Sequence, residues 1–172
     1  MRKAIYWVMS LTAAILIIIL LTARNNGKAK PPKSDEAFKI NVKVIRGLLP
    51  DSLKNRRIVV LNLWASWCKP CLVEMPELSQ VQKQFRSENT AFVGITMEER
   101  SKAEPVFASQ SVDFTYTKLY GQQEFVQMIG EVRGGDLAFP LNLVIKDNEV
   151  VFYREGYSPV FVQELKDILK KQ

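Results

Sequence analysis

The sequence predicts an α/β domain with a central mixed sheet flanked by helices, carried behind an N-terminal transmembrane helix. Three observations lead there. A continuous apolar run at 58–64 leads into a helical pattern and then into a second apolar run at 90–97, the order of a βαβ unit. Two later runs, 141–145 and 149–154, are separated by Lys146-Asp147-Asn148 and read as a hairpin. An uncharged stretch of 20 residues, Ala4 to Ala23, is as long as one bilayer crossing.

The N-terminal 33 residues behave as a tether. The apolar density peaks at Ile15-Leu16-Ile17-Ile18-Ile19-Leu20-Leu21. A cleaved signal peptide is the competing reading, with Leu21-Thr22-Ala23 as a loose cleavage site, but the run exceeds an ordinary signal core and Leu21 is not small. An uncleaved anchor is therefore preferred. No cysteine follows the run, which leaves a lipid anchor unsupported. Arg2 and Lys3 stand on one side and Arg24, Lys28, Lys30 and Lys33 on the other, so charge counting does not orient the helix. A short flank before a folded domain favours export of that domain. The division expected is a cytoplasmic 1–3, a signal anchor 4–23, a polar, proline-containing linker 24–37 and a folded domain 38–172.

The formal net charge of +6 belongs to the tether. Residues 1–33 hold six Lys and Arg and no acid, leaving 18 basic and 18 acidic residues in the remainder. A basic juxtamembrane segment suits anionic headgroups. A neutral domain without a concentrated basic stretch gives no footing for nucleic acid. There is no histidine, so histidine triads and mixed Cys/His zinc sites are excluded. Two cysteines cannot fill a structural zinc site, although two thiolates could take copper(I).

Both cysteines fall in Trp64-Ala65-Ser66-Trp67-Cys68-Lys69-Pro70-Cys71. Residues at i and i+3 on the first helical turn share a face. The helix start offers unpaired N–H groups and the positive end of the dipole, which stabilise a thiolate at Cys68. Lys69 adds a cation beside it. Pro70 suits a first turn, where its missing N–H costs nothing. Cys68 is thus the expected attacking sulfur and Cys71 the resolving one. A purely structural disulfide is the alternative, but closing so short a loop stabilises little.

The remaining elements follow in order. Residues 38–44 alternate apolar and polar and read as an edge strand. Residues 48–55 read as a short turn or helix. The helix after the cysteines carries Leu72, Met75, Leu78, Val81 and Phe85 on one stripe, with Pro76 set to kink it. A helix is expected over 105–111, opened by Pro105, then an extended segment over 112–117 and a helix over 122–129. The glycines of 130–135 read as a flexible loop ending at Pro140. Gly156 ends the hairpin, and 159–170 closes the chain as an amphipathic helix with Val162, Leu165, Ile168 and Leu169 inward.

Trp-Cys-x-Pro-Cys after a buried strand, with Pro76 five residues on, resembles the active site of the thioredoxin superfamily, over roughly residues 56–171. Asn62-Leu63-Trp64-Ala65-Ser66-Trp67 and Glu74-Met75-Pro76-Glu77-Leu78 resemble its membrane-tethered TlpA/ResA-like group. Asn62 stands where ordinary thioredoxins carry a buried aspartate. The resemblance implies a thioredoxin fold, a redox disulfide Cys68–Cys71 and a proton-exchange role for Glu74 toward Cys71, against a plain solvated carboxylate. It also implies that Pro140 is a cis-proline facing the cysteines. Trp67, Lys69, Pro70, Phe139 and Pro140 are the expected substrate-binding residues, with Trp67 on the rim and Trp64 in the core. Two departures stand out: the family's Ala-Pro-x-Phe entry segment is absent, and Phe139-Pro140-Leu141-Asn142 replaces an aliphatic residue followed by Pro-Thr.

The resemblance implies a bacterial protein disulfide reductase, single-pass in the cytoplasmic membrane with its catalytic domain outside. Its implied partners are exported disulfide-containing proteins, apocytochrome c among them during cytochrome c maturation, and a membrane thiol electron carrier. It implies no cofactor and no metal. The rival readings are a disulfide oxidase or isomerase, favoured by Lys69 and opposed by Glu74, and a copper(I)-binding module.

Overall fold

The computed structural model describes residues 42–110 and 117–171. Eleven elements are defined in that range. They are α1 (Val42–Leu48), α2 (Asp51–Lys54), β1 (Ile58–Leu63), α3 (Lys69–Phe85), β2 (Thr90–Ile95) and α4 (Arg100–Ser109). Then come β3 (Thr117–Leu119), α5 (Gln123–Arg133), β4 (Leu141–Lys146), β5 (Glu149–Glu155) and α6 (Phe161–Lys170). The sheet order is β3-β2-β1-β4-β5. β1 and β2 run parallel, as do β2 and β3, while β4 is antiparallel to both β1 and β5.

β1 is central, and all six of its residues are buried, which accounts for its apolar composition at every position but Asn62. Side chains alternate between the faces. Ile58 and Val60 face a layer that holds Met75, Leu78 and Val81 of α3, Ala103 and Phe107 of α4, and Phe161, Leu165 and Leu169 of α6. Val59, Leu61 and Leu63 face the other layer, with Ile45 of α1 and Phe125, Val126 and Ile129 of α5. Each of these large side chains contributes about 1.5–3 kcal/mol through burial.

The alternation places two polar residues of the central strands in one spot. Asn62 lies in register with Asn142 across the β1–β4 pair. Asn62 shares its strand face with Val60, and Asn142 with Val144, both in the layer that contains α3.

Four expectations are corrected. Residues 42–44 are helical, not an edge strand. Helical spacing buries Ile45 fully and places Val42 and Leu49 against the same cluster. Arg46 then fastens this segment, donating to the carbonyls of Lys54 at 2.7 Å, Arg56 at 2.8 Å and Asp147. Residues 38–41 lie outside the described range.

Pro105 does not open its helix. α4 begins at Arg100 and carries Pro105 inside. Burial of Ala103 and Phe107, one turn apart, outweighs the one carbonyl that the proline leaves unpaired. Of the extended segment expected over 112–117, Thr117 opens β3, and residues 111–116 lie outside the described range.

The glycine stretch is not a loop from residue 130. α5 runs through Gly130 to Arg133 and stops at Gly134, whose φ of 86° is the left-handed conformation of a helix C-cap. Gly134 and Gly135 both donate backbone N–H bonds to the Gly130 carbonyl, at 2.9 and 3.1 Å. A Cβ at Gly130 would lie 3.2 Å from the Gly135 carbonyl oxygen, so a larger residue there would push this closed turn apart by a few tenths of an ångström. Finally, α6 starts at Phe161, two residues later than expected, with Phe161, Leu165 and Leu169 fully buried and Val162 and Ile168 packed at the edge.

The span expected at 4–23 and the linker at 24–37 lie outside the described residues. Among the described residues, no helix is long and apolar enough to cross a membrane.

Candidate active site

The end of β1 delivers the chain to the site. Trp64 is fully buried and meets Phe107 edge-on at 4.2 Å, so it belongs to the core. Its backbone N–H bonds to the Ile95 carbonyl at 2.9 Å, continuing the sheet by one residue. The loop that follows is clamped from β2's carboxyl end. Glu98 accepts from the Ser66 backbone N–H at 2.5 Å and from the Ser66 hydroxyl at 2.6 Å. Cys68 N–H then bonds to the Ala65 carbonyl at 3.0 Å, and α3 starts at the next residue.

Cys68 is therefore the N-cap of α3, with the proline in the first turn as expected. Its Sγ accepts the Cys71 backbone N–H at 3.2 Å. Cys68 and Cys71 are joined in a disulfide with Cα atoms 5.3 Å apart. On reduction, that N–H and the helix dipole favour a thiolate at Cys68 over one at Cys71. The two residues are only 3% and 1% exposed. Lys69 and Pro70 are exposed beside them.

Phe139-Pro140 is the one cis peptide bond among the described residues. Pro140 is buried, and its carbonyl accepts the Gly156 N–H at 2.7 Å. Phe139 is half-buried against the layer that contains both cysteines. It meets Trp67 edge-on at 5.8 Å, while Trp67 itself is 64% exposed. Trp67, expected on the rim, and Phe139 thus form a pair of perpendicular rings, Trp67 being the residue next to Cys68.

Glu74, one turn beyond Cys71 on α3, is not a solvated carboxylate, being only 1% exposed. Its Oε1 accepts Asn142 Nδ2 at 2.8 Å and Asn62 Nδ2 at 3.1 Å. Asn62 Nδ2 also donates to Asn142 Oδ1 at 2.8 Å. Loss of water raises the carboxyl from its ordinary 4.5 to about 7. The Asn142 hydrogen bond is the largest influence opposing that rise. Glu74 Oε2 has no hydrogen-bond partner, so one oxygen is held and the other remains open to a proton.

The fold thus gathers Cys68, Cys71, Trp67 and Phe139, with Glu74 on the cysteine helix. Two contributors escaped the sequence reading. Asn142 interrupts the apolar run Leu141-Asn142-Leu143-Val144-Ile145, and a polar residue inside a buried strand is the signal that could have singled it out. Glu98 follows β2 at the carboxyl edge of the sheet, where α/β folds place their functional loops. Among the described residues, no group of three or more Cys, Asp or Glu is placed to hold a metal ion.

A family model described as Redoxin matches residues 49–169. The thiol-disulfide oxidoreductase ResA of Bacillus anthracis is 28% identical over 117 residues, 67% of this chain and 60% of that protein. The thioredoxin-like protein YneN of Bacillus subtilis is 36% identical over 59 residues, 34% of this chain and 35% of that protein. The matches thus span about a third to three fifths of these relatives' lengths. Among solved structures, a thioredoxin family thiol:disulfide interchange protein from Chlorobium tepidum superposes with TM-score 0.57 at 25% identity, covering 68% of this chain and 80% of that one. StoA from Bacillus subtilis superposes with TM-score 0.53 at 15% identity, covering 66% and 82%, and shows the fold alone. With a family model matched over most of its length, a paired Cys68–Cys71 at the start of a helix and a cis-proline in the neighbouring loop, this chain is a member of the redoxin family built on the thioredoxin fold.

Proposed function

We propose that this chain is an extracytoplasmic thiol–disulfide oxidoreductase, anchored by residues 4–23, that reduces disulfides in exported proteins. The observation that carries the reading is the Cys68–Cys71 pair capping α3, with the near-neutral carboxyl of Glu74 one turn further along that helix.

The cycle begins with the reduced pair. Cys68 thiolate attacks a substrate disulfide, forming a mixed disulfide and releasing one substrate sulfur as a thiolate. Glu74, ionised at Oε2, takes the proton of the Cys71 thiol. Cys71 then attacks Cys68 Sγ. The Cys68–Cys71 bond forms, the bond to substrate breaks, and the second substrate thiolate leaves and is protonated. Two electrons pass to the substrate, so the oxidised pair must be reduced again by a membrane thiol carrier. An extended substrate segment pairs with the backbone at Phe139 beside Pro140, under the rim of Trp67. Apocytochrome c before haem attachment is the substrate proposed, on the likeness to ResA.

The test is the reduction potential of the full chain, measured by equilibration with dithiothreitol or glutathione mixtures. A value below about −220 mV places the protein among reductants and supports the reading. A value near about −120 mV, that of a strong oxidant, overturns it in favour of disulfide formation. Cys68→Ser abolishes insulin reduction on this reading, and Cys71→Ser accumulates the mixed disulfide.

A further inference from the structure

Asn142 has no place in the cycle above, yet it is the nearest partner of the group that moves the proton. It is fully buried, as are its strand neighbours Leu141, Leu143, Val144 and Ile145, and its side chain points to the α3 face of the sheet. An unpaired amide there would cost free energy, and the residue it finds is Glu74. Asn62 is opposite in register, and the two amides are linked by the 2.8 Å bond from Asn62 Nδ2 to Asn142 Oδ1. That bond orients Asn142. Its oxygen is occupied as an acceptor, so its Nδ2 is turned to Glu74 Oε1. Both donors converge on that one oxygen, while Oε2 has none.

We infer that Asn142 is a positioning residue for thiol exchange: with Asn62 it pins Oε1 of Glu74, so that Oε2 is the oxygen that exchanges the Cys71 proton. The inference rests on the exchange reading above and adds a device from the opposite strand to it. The arrangement also bears on when the carboxyl is ionised. Hydrogen bonds donated to a carboxylate favour its charged form and offset part of the loss of water. Two charged groups act on Glu74 besides: Glu77 on α3, which opposes ionisation, and Arg154 on β5, which favours it. Arg154 is itself paired with Glu164 of α6 at 2.6 Å. Asn142 is thus the strongest single influence keeping Glu74 able to act as a base near neutral pH.

The chain has only two cysteines, which makes the step directly observable. The reduced full chain, in mild detergent, is mixed with 5,5′-dithiobis(2-nitrobenzoate) in a stopped-flow cell. The first thionitrobenzoate released reports attack by Cys68, and the second reports resolution by Cys71. In the native protein the second phase accelerates with pH through about 7. In Asn142→Leu the midpoint of that rise moves up by about one pH unit, while the first phase is unchanged. In Glu74→Gln the inflection is lost, and adding Asn142→Leu to Glu74→Gln changes the second phase no further.

The outcomes separate the two ideas. If Glu74→Gln retains the inflection, the base assignment fails and the positioning role with it. If Glu74→Gln loses the inflection but Asn142→Leu leaves the midpoint in place, the exchange reading stands and the positioning role is overturned. Should Asn142→Leu not fold, Asn142→Ser removes the long amide with less apolar replacement and is expected to shift the midpoint in the same direction. The native protein offers a further check: the side-chain amide signals of Asn62 and Asn142 in nitrogen-15 spectra should titrate together with Glu74. An Asn142 amide that does not respond to that titration overturns the inference.

Discussion

Glu74→Gln should make the folded chain less sensitive to pH by a calculable amount. The carboxyl is 1% exposed and raised from 4.5 to about 7, chiefly by burial. A raised folded pKa means that the folded state holds the proton more tightly than the unfolded state. Between the two pKa values the folded state binds more protons, so stability falls as pH rises. The stabilisation is fully present below about pH 4.5 and lost as pH passes through about 7. The full difference is about 3 kcal/mol, most of which is lost between pH 5 and pH 8. Glutamine resembles the protonated acid in shape, keeps Oε1 as an acceptor for both asparagines, and does not titrate. The assay is urea unfolding of the oxidised full chain at pH 5, 6, 7 and 8, with and without the substitution. Taking the difference at each pH cancels the other carboxylates, including Asp51 and Glu104, whose pKa values are lowered by neighbouring donors. The variant should gain on the native protein by about 2–3 kcal/mol across that range, with about half of the change complete near pH 6. A flat difference, within about 0.5 kcal/mol, would refute the premise that burial holds this carboxyl neutral.

Three further outcomes follow from the geometry. Glu98→Ala removes both acceptors that hold Ser66, and should cost about 1–3 kcal/mol in urea unfolding while slowing attack by Cys68, because the loop before the cysteine loses its clamp. Gly134→Ala should destabilise by about 1–2 kcal/mol in thermal unfolding through the left-handed backbone alone, since a Cβ there meets no atom within 4 Å. Trp67→Ala should change stability by less than about 0.5 kcal/mol, because the side chain is largely exposed. The same variant should raise KM for a protein disulfide more than for a small aromatic one, and an equal effect on both would remove Trp67 from the substrate-binding rim.

Much of this was legible in one chain. The apolar run of β1, the cysteine pair with its proline, the hairpin of β4 and β5 and the amphipathic α6 each depend on residues close in sequence. Local periodicity and turn chemistry report such elements directly. Residues 42–44 misled because their alternation also satisfies a helix once Ile45 and Leu49 find the sheet. Pro105 misled because burial of Ala103 and Phe107 outweighs one lost hydrogen bond. Gly130 misled because its value lies in the close approach of Gly135, which is visible only when the turn is closed.

The sequence by itself determined which cysteine sits where a helix start favours a thiolate. Cys68 and Cys71 are three residues apart, and a helix start acts on its own first turn, so nothing distant is needed to choose between them. The tertiary structure alone decided the chemistry of Glu74. Its burial depends on the sheet closing over α3, and its partners Asn62 and Asn142 come from strands 12 and 68 residues away. Desolvation and hydrogen bonding act through space over a few ångströms, and only the antiparallel register of β1 and β4 brings those two amides to one carboxyl oxygen.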